Sequence, residues 1–175
     1  MSAEPKVVVV NDRDEVVGAK LKKNAIKQGL IHRIARIFVF NQKGELYLQQ
    51  RGGNVHFPNL WDQSVGGHVD EGETYELAAH RESQEELHLT ELPLKEIATY
   101  FSEVKNPDGV LLRRFNRLFS ATTSQKPRWD PSEVQDGRWV SMDDLNQWIK
   151  HSPGDFTGTG GFLEALKIYQ EKTSG

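Results

Sequence analysis

The chain has 175 residues, no cysteine and a formal net charge of −3. That length suits one domain with its own apolar core, and the missing cysteine excludes disulfides, thiolate metal sites and cysteine nucleophiles. No basic block marks a dedicated nucleic-acid binder, no apolar run could span a bilayer, and the first residues lack the apolar core of a secretory signal, so a cytoplasmic protein with no membrane partner is expected.

Residues 1–5 read as a flexible N-terminus and 6–175 as a single domain. Strands are expected at 6–11 and 15–20, with Asp12, Arg13 and Asp14 in the turn between them. A short helix at 22–28 is stopped by Gly29. Residues 31–41 are β-branched and aromatic, 45–51 alternate in polarity, and the turn at 42–44 makes the two a candidate hairpin. A loop with Pro58 follows, then a strand at 61–69 broken by Gly66 and Gly67. Residues 74–87 predict a helix, acidic in its first turn and free of internal Gly or Pro. Long strands at 94–104 and 110–122 flank the turn at 106–109. A shorter strand at 134–140 leads to Ser141, which caps a helix through Ile149. Gly160 and Gly161 precede a last helix at 162–172. Helices are few and unevenly interleaved with strands, which points to an α+β fold with a mixed sheet.

The helix at 74–87 carries the chemistry. At about 100° per residue, Glu82, Glu85 and Glu86 fall within an arc of roughly 100°. Like charges at such spacings repel, and a divalent cation would reverse the sign of that energy. Oxygen-only ligands suit a hard ion, Mg²⁺ or Mn²⁺. Taken alone, the same three residues read first as an acidic face in water.

Their surroundings narrow the choice. Gly67, five residues, Glu73, seven residues, then Arg81, Glu82, Glu85 and Glu86 resembles the Nudix box. With each residue type at about 7% abundance, a chance match in the chain is on the order of 10⁻⁵. Two positions depart from the pattern. Ser83 stands where an apolar residue is usual, which should weaken packing of the helix on the sheet. His88 replaces the closing glycine, which puts a left-handed helix end in doubt.

The resemblance implies a Nudix-type α/β/α sandwich with a mixed sheet and a loop–helix–loop at 67–89. It implies that Glu82, Glu85 and Glu86 bind metal, joined by the Gly67 carbonyl, and that Glu73 and Arg81 form an ion pair bracing the box. The expected reaction is metal-dependent cleavage of a diphosphate linkage in a small molecule such as a nucleoside diphosphate derivative. The general base is then a member of the glutamate cluster or, as an outside candidate from another loop, Glu133, which as an isolated loop acid reads first as merely exposed.

The flanks are similar to a narrower group, the isopentenyl-diphosphate isomerases and their Nudix relatives. The stretches are 31–33, 44–51, 57–61 and 67–68, and with the box the similarity covers roughly 6–150. The isomerases need a cysteine where this chain has Gly66, and a second histidine that is absent around Ala25. The resemblance therefore implies a hydrolase rather than an isomerase, with a non-catalytic nucleotide-binding module as the other alternative. Arg51 is a candidate phosphate ligand. Trp61, with Phe57 and Trp139, is a candidate for stacking on a base or for the core. His68 is a candidate substrate contact; it and His32 either hydrogen-bond within the fold or join a metal site. The sequence leaves the oligomeric state open.

Overall fold

The run His32–Phe40 is apolar over most of its length because both its faces are covered, the situation of a central strand. In the computed structural model, which describes residues 3–175, this run is β3 of a nine-stranded mixed sheet. Before it come β1 (Lys6–Val10), β2 (Val16–Leu21) and α1 (Lys22–Lys27). After it come β4 (Leu46–Arg51), β5 (Trp61–Asp62), β6 (Val65–His68), α2 (Tyr75–Leu87), β7 (Lys95–Lys105), β8 (Leu111–Thr122), β9 (Val134–Val140), α3 (Met142–His151) and α4 (Phe162–Thr173). Of the expected flexible terminus, Met1 and Ser2 lie outside the described residues, and Glu4 pairs with Lys23 at 3.4 Å.

β3 runs parallel to β8 from His32↔Arg114 to Phe40↔Thr122 and antiparallel to β6 at Ile34↔His68 through Ile37↔Val65. β7 and β8 form the long antiparallel hairpin, and β4 pairs with β9 and β5. Alternation along β3 divides the core. Ala35, Ile37 and Val39 join Ala78, Ala79 and Leu87 of α2 on one face. Phe38 and Phe40 join Leu145 of α3 and Phe162, Ala165 and Leu166 of α4 on the other. The result is helix, sheet, helix, as the resemblance implied.

Four details differ from expectation. The 31–41/45–51 pair meets only at Phe40↔Leu46. Where the two strands splay, the Ser64 hydroxyl donates to the Tyr47 carbonyl (2.6 Å) and accepts from the Val39 N–H (2.9 Å). For the same reason the break in the expected 61–69 strand falls at Gln63 and Ser64, while Gly66 and Gly67 lie within β6. Ser83 does not weaken the packing of α2. It is fully buried and its hydroxyl donates to the Ala79 carbonyl at 2.7 Å, so no polar group is left unpaired against the sheet.

The end of α2 is the fourth. The helix starts as expected, with the Thr74 hydroxyl accepting from the Leu77 N–H. It ends in a left-handed residue, His88 (φ 55°, ψ 32°), despite the missing glycine. The His88 N–H reaches the Gln84 carbonyl and the Leu89 N–H reaches the Ser83 carbonyl, each at 3.1 Å, and buried Leu89 anchors the turn. A Cβ in this region is strained, so His88→Gly is expected to stabilise the protein by roughly 0.5–1 kcal/mol, measured as a higher denaturation midpoint at constant m-value.

Candidate active site

Residues that are distant in sequence meet where α2 crosses β6. Gly67 lies on the strand directly under Glu82, and a Cβ there would overlap the Glu82 carboxylate. Glycine at this position is thus what lets the carboxylate reach the strand backbone. One turn later Glu86 accepts from the Gly66 N–H (3.3 Å) and from Gln49 Nε2 of β4 (3.2 Å). Glu82 and Glu86 point inward, and the Glu82 side chain keeps only 13% of its exposure. Glu85 points outward, with its side chain 59% exposed.

Arg81 organises the loop before the helix. Its Nε and Nη2 donate to the two Glu73 oxygens (2.7 and 3.0 Å), and Nη2 also reaches the His68 carbonyl (2.9 Å). Its Nη1 bridges Glu82 (2.8 Å) and Glu85 (3.3 Å), and Asp70 lies 3.5 Å away. Burial works to raise the Glu73 carboxyl, but the Arg81 bonds and the Asp70 N–H outweigh it and hold the carboxyl below its usual range. Burial raises the Glu82 carboxyl, because its share of Arg81 does not compensate. Glu86 retains some exposed surface, yet protein surrounds its carboxyl closely. Desolvation first, and the neighbouring Glu82 charge second, push it well above the usual range.

Among the described residues, no three acidic or histidine side chains already stand close enough to enclose an ion. The donor chemistry nonetheless fits a hard divalent cation. Glu82, Glu85 and Glu86 share little more than one turn of helix over the Gly67 backbone, and of the two inward carboxyls Glu82 holds only a share of Arg81 while Glu86 has no cationic partner among the described residues. Only Glu85 has to swing inward from the surface.

Beside this cluster opens a cavity of about 210 Å³, lined by Gln49, Arg51, Glu85, Glu86, Asp130 and Glu133 among others. Glu133, named from sequence as an isolated loop acid, therefore faces the two glutamates across one pocket. Its backbone holds it there: the Glu133 carbonyl accepts from the Gly52 N–H and its own N–H donates to the Asp130 carbonyl. Gln49 and Asp130 had no signal in the sequence, because only the pairing of β4 with β9 brings their segments together.

Other candidates are engaged in their own contacts or fall elsewhere. Arg51 lines the pocket but is committed to Asp62 (3.1 Å) and the His56 carbonyl (2.6 Å). Trp61 is 5% exposed, packed edge-on to Trp148 with the Arg138 guanidinium over its ring, so its role is in the core. Trp139 packs against Tyr47, while Phe57 is exposed. His68 stacks on His32 at 5.2 Å between ring centroids. Burial, with Arg114 and Lys22 nearby, lowers both imidazoles, His32 to about 4. A cation is poorly placed among those charges, and the metal alternative for the pair is set aside.

The NUDIX domain family model matches residues 30–158. Isopentenyl-diphosphate Delta-isomerase 2 of Photorhabdus laumondii is 32% identical over 152 residues, covering 86% of this chain and 85% of that protein. A Nudix hydrolase of Deinococcus radiodurans is 31% identical over 146 residues, covering 82% of each. The crystal structure of DR0079 from Deinococcus radiodurans superposes with a TM-score of 0.73 at 28% identity, covering 96% of this chain and 99% of that one.

Two outcomes follow from these electrostatics. Removing the buried Glu86 charge should stabilise the metal-free protein, so Glu86→Gln is expected to raise Tm by roughly 2–4 °C in EDTA, as about 1 kcal/mol does in a chain of this size. His32 is neutral when folded but protonates near 6.5 when unfolded, so its contribution is complete above pH 6.5 and is lost as the pH falls towards 4. Between those limits His32→Asn should lose less stability than the parent protein, by up to about 3 kcal/mol, in denaturant titrations at each pH.

Proposed function

The chain belongs to the NUDIX family, and from that premise we propose that it hydrolyses a diphosphate linkage in a nucleoside diphosphate derivative, using Mg²⁺ or Mn²⁺. The observation that carries this reading is the convergence of Glu82 and Glu86 over Gly67 beside a pocket that Glu85, Asp130 and Glu133 also border. Glu82, Glu85, Glu86 and the Gly67 carbonyl are the proposed ligands of the ion. When bound, it supplies Lewis-acid neutralisation of the phosphate oxygens and acidifies water for attack.

The chain's own groups do the rest. Arg81, pinned by Glu73 and the His68 carbonyl, holds the box loop and helix in register. Arg51 Nη2, not engaged by the Asp62 and His56 contacts, points a charge-assisted donor at a phosphate. Glu133 takes the proton from the attacking water, since it faces the pocket from a loop that does not bind the ion. At about 210 Å³ the pocket is smaller than the roughly 300–1,000 Å³ typical of small-molecule sites. It suits a phosphate chain, with the organic group lying along the open side.

Similarity to isomerases raises allylic isomerisation as the second reading. It lacks the required cysteine, and at Gly66 a side chain would overlap the Gln63 amide. The deciding experiment screens nucleoside diphosphates, triphosphates, dinucleotides and nucleotide sugars with each metal, reading the released products, alongside isopentenyl diphosphate. Phosphorylated products dependent on metal are expected. Glu85→Gln and Glu86→Gln should each lower kcat by roughly 10²–10³-fold, and Glu133→Gln by about 10²-fold or more. Unchanged turnover in the Glu86 variant, or nucleotide binding without any turnover, would refute the reading.

A further inference from the structure

The polar half of β3 has no part in the carboxylate site. Because side chains alternate along a strand, His32 and Arg36 point to the α4 side of the sheet, away from α2. On the same face β8 presents Arg114 beside His32 and Asn116 beside Ile34, and β7 presents Tyr100 opposite Asn116. The loop that enters α4 lies over them, its Gly160 in a left-handed conformation (φ 74°).

This patch is positively charged and incompletely hydrogen-bonded. Arg36, 4% exposed, spends its donors on neutral acceptors: Asn116 Oδ1 (2.9 Å), Gln63 Oε1 (2.9 Å) and the Gly160 carbonyl (2.8 Å). Arg114 shares that one carbonyl through Nη2 at 3.2 Å. Two guanidinium groups thus converge on a single uncharged oxygen. Among the described residues no carboxylate forms an ion pair with either. The nearest acids are engaged elsewhere: Glu164 with the Gly160 N–H (2.6 Å), Asp62 with Arg51, the Gln63 N–H and Thr157. Lys22 adds a third cation nearby.

Three polar atoms here are buried without any partner: Arg114 Nε, Tyr100 Oη and His32 Nε2. His32 is 1% exposed, and its Nδ1 faces the Leu30 carbonyl at 3.0 Å. A carbonyl only accepts, so Nδ1 carries the proton and Nε2 presents a lone pair. Buried groups of this kind are normally satisfied. The missing partner must accept from a guanidinium, neutralise two like charges and also donate one hydrogen bond.

A hydrogen-phosphate group has that combination. We propose that this face of the sheet is an anion site for a phosphate-type oxyanion, inorganic hydrogen phosphate or, with a single negative charge in its P–OH form, a terminal phosphomonoester, with Arg114 and Arg36 as its charge partners. Its oxygens accept from Arg114 Nε and from Tyr100, and its P–OH donates to His32 Nε2. Arg114, Tyr100 and His68 are only partly buried, and the proposed path of the ion runs between them. The site stands on the face opposite the glutamates and needs no metal.

The test uses the full chain in EDTA at constant ionic strength, with inorganic phosphate titrated by calorimetry and by thermal shift. Saturable binding with a Kd of about 1 mM or tighter is expected, together with movement of the His32 Nε2 resonance in ¹⁵N spectra. Arg114→Gln should weaken binding at least about tenfold, whereas Glu86→Gln on the other face should leave it intact. Should Arg114→Gln fail to fold, Arg114→Lys keeps the charge but removes the Nε donor, and weaker binding is again expected. Adenosine monophosphate separates the sources: binding that depends on Arg114 assigns a nucleotide phosphate to the site, and binding of inorganic phosphate alone assigns the free ion. No phosphate effect beyond that of chloride, or phosphate binding lost in Glu86→Gln but not in the Arg114 variant, would overturn the proposal. Both readouts are independent of turnover, so the site and the hydrolase reading stand or fall separately.

Discussion

The guanidinium of Arg81 is the contact on which the rest of this site depends. Among the described residues it is the one cation hydrogen-bonded within a group of acids that includes Glu73, Glu82 and Glu85, with Asp70 close by. Its planar fork matches Glu73 with two nearly parallel bonds, which is the strong arrangement for a carboxylate. The remaining nitrogen is divided between Glu82 and Glu85. One charge divided in this way lowers Glu73 but leaves Glu82 raised and does nothing for Glu86. The protein thus braces the loop against the helix while leaving the inner carboxyls short of positive charge. An environment of that kind stabilises the fold less than neutral packing would and favours a cation from solution.

The sheet beneath the helix separates two electrostatic environments. On the α2 face, glycine at 67 admits a carboxylate to the backbone, and the local charge is negative. On the α4 face, the same central strand carries Arg36 and His32, and its parallel neighbour carries Arg114, so the local charge is positive. Strand geometry produces this division: neighbouring residues on β3 and β6 necessarily look in opposite directions. Apolar side chains then fill both faces further along β3, where Phe38 and Phe40 meet α4 and Ile37 and Val39 meet α2. The polar half is held in place by that packed half.

Most strand and helix positions were legible in the sequence because they follow from local patterns: alternation, β-branched runs, turn residues and caps. The Nudix box was legible for the same reason. The spacing of its glutamates is a property of one helix, where positions three and four apart share a face whatever the rest of the chain does. Cases in which a local rule failed were settled by neighbours distant in sequence. Ser83 packs well because its hydroxyl returns to its own helix, and His88 adopts a glycine conformation because buried Leu89 holds the turn.

By itself, then, the sequence determined the α+β class and the identity of the acidic cluster, which depend on short-range patterns, while the loop–helix–loop followed from the resemblance to the Nudix box. Only the tertiary structure decided that Glu133 and Asp130 share a pocket with Glu86, that Trp61 belongs to the core, and that Arg36 and Arg114 lie side by side. Those relations arise from the pairing of strands far apart in the chain, and long-range pairing is set by the summed packing of the whole sheet rather than by any local spacing.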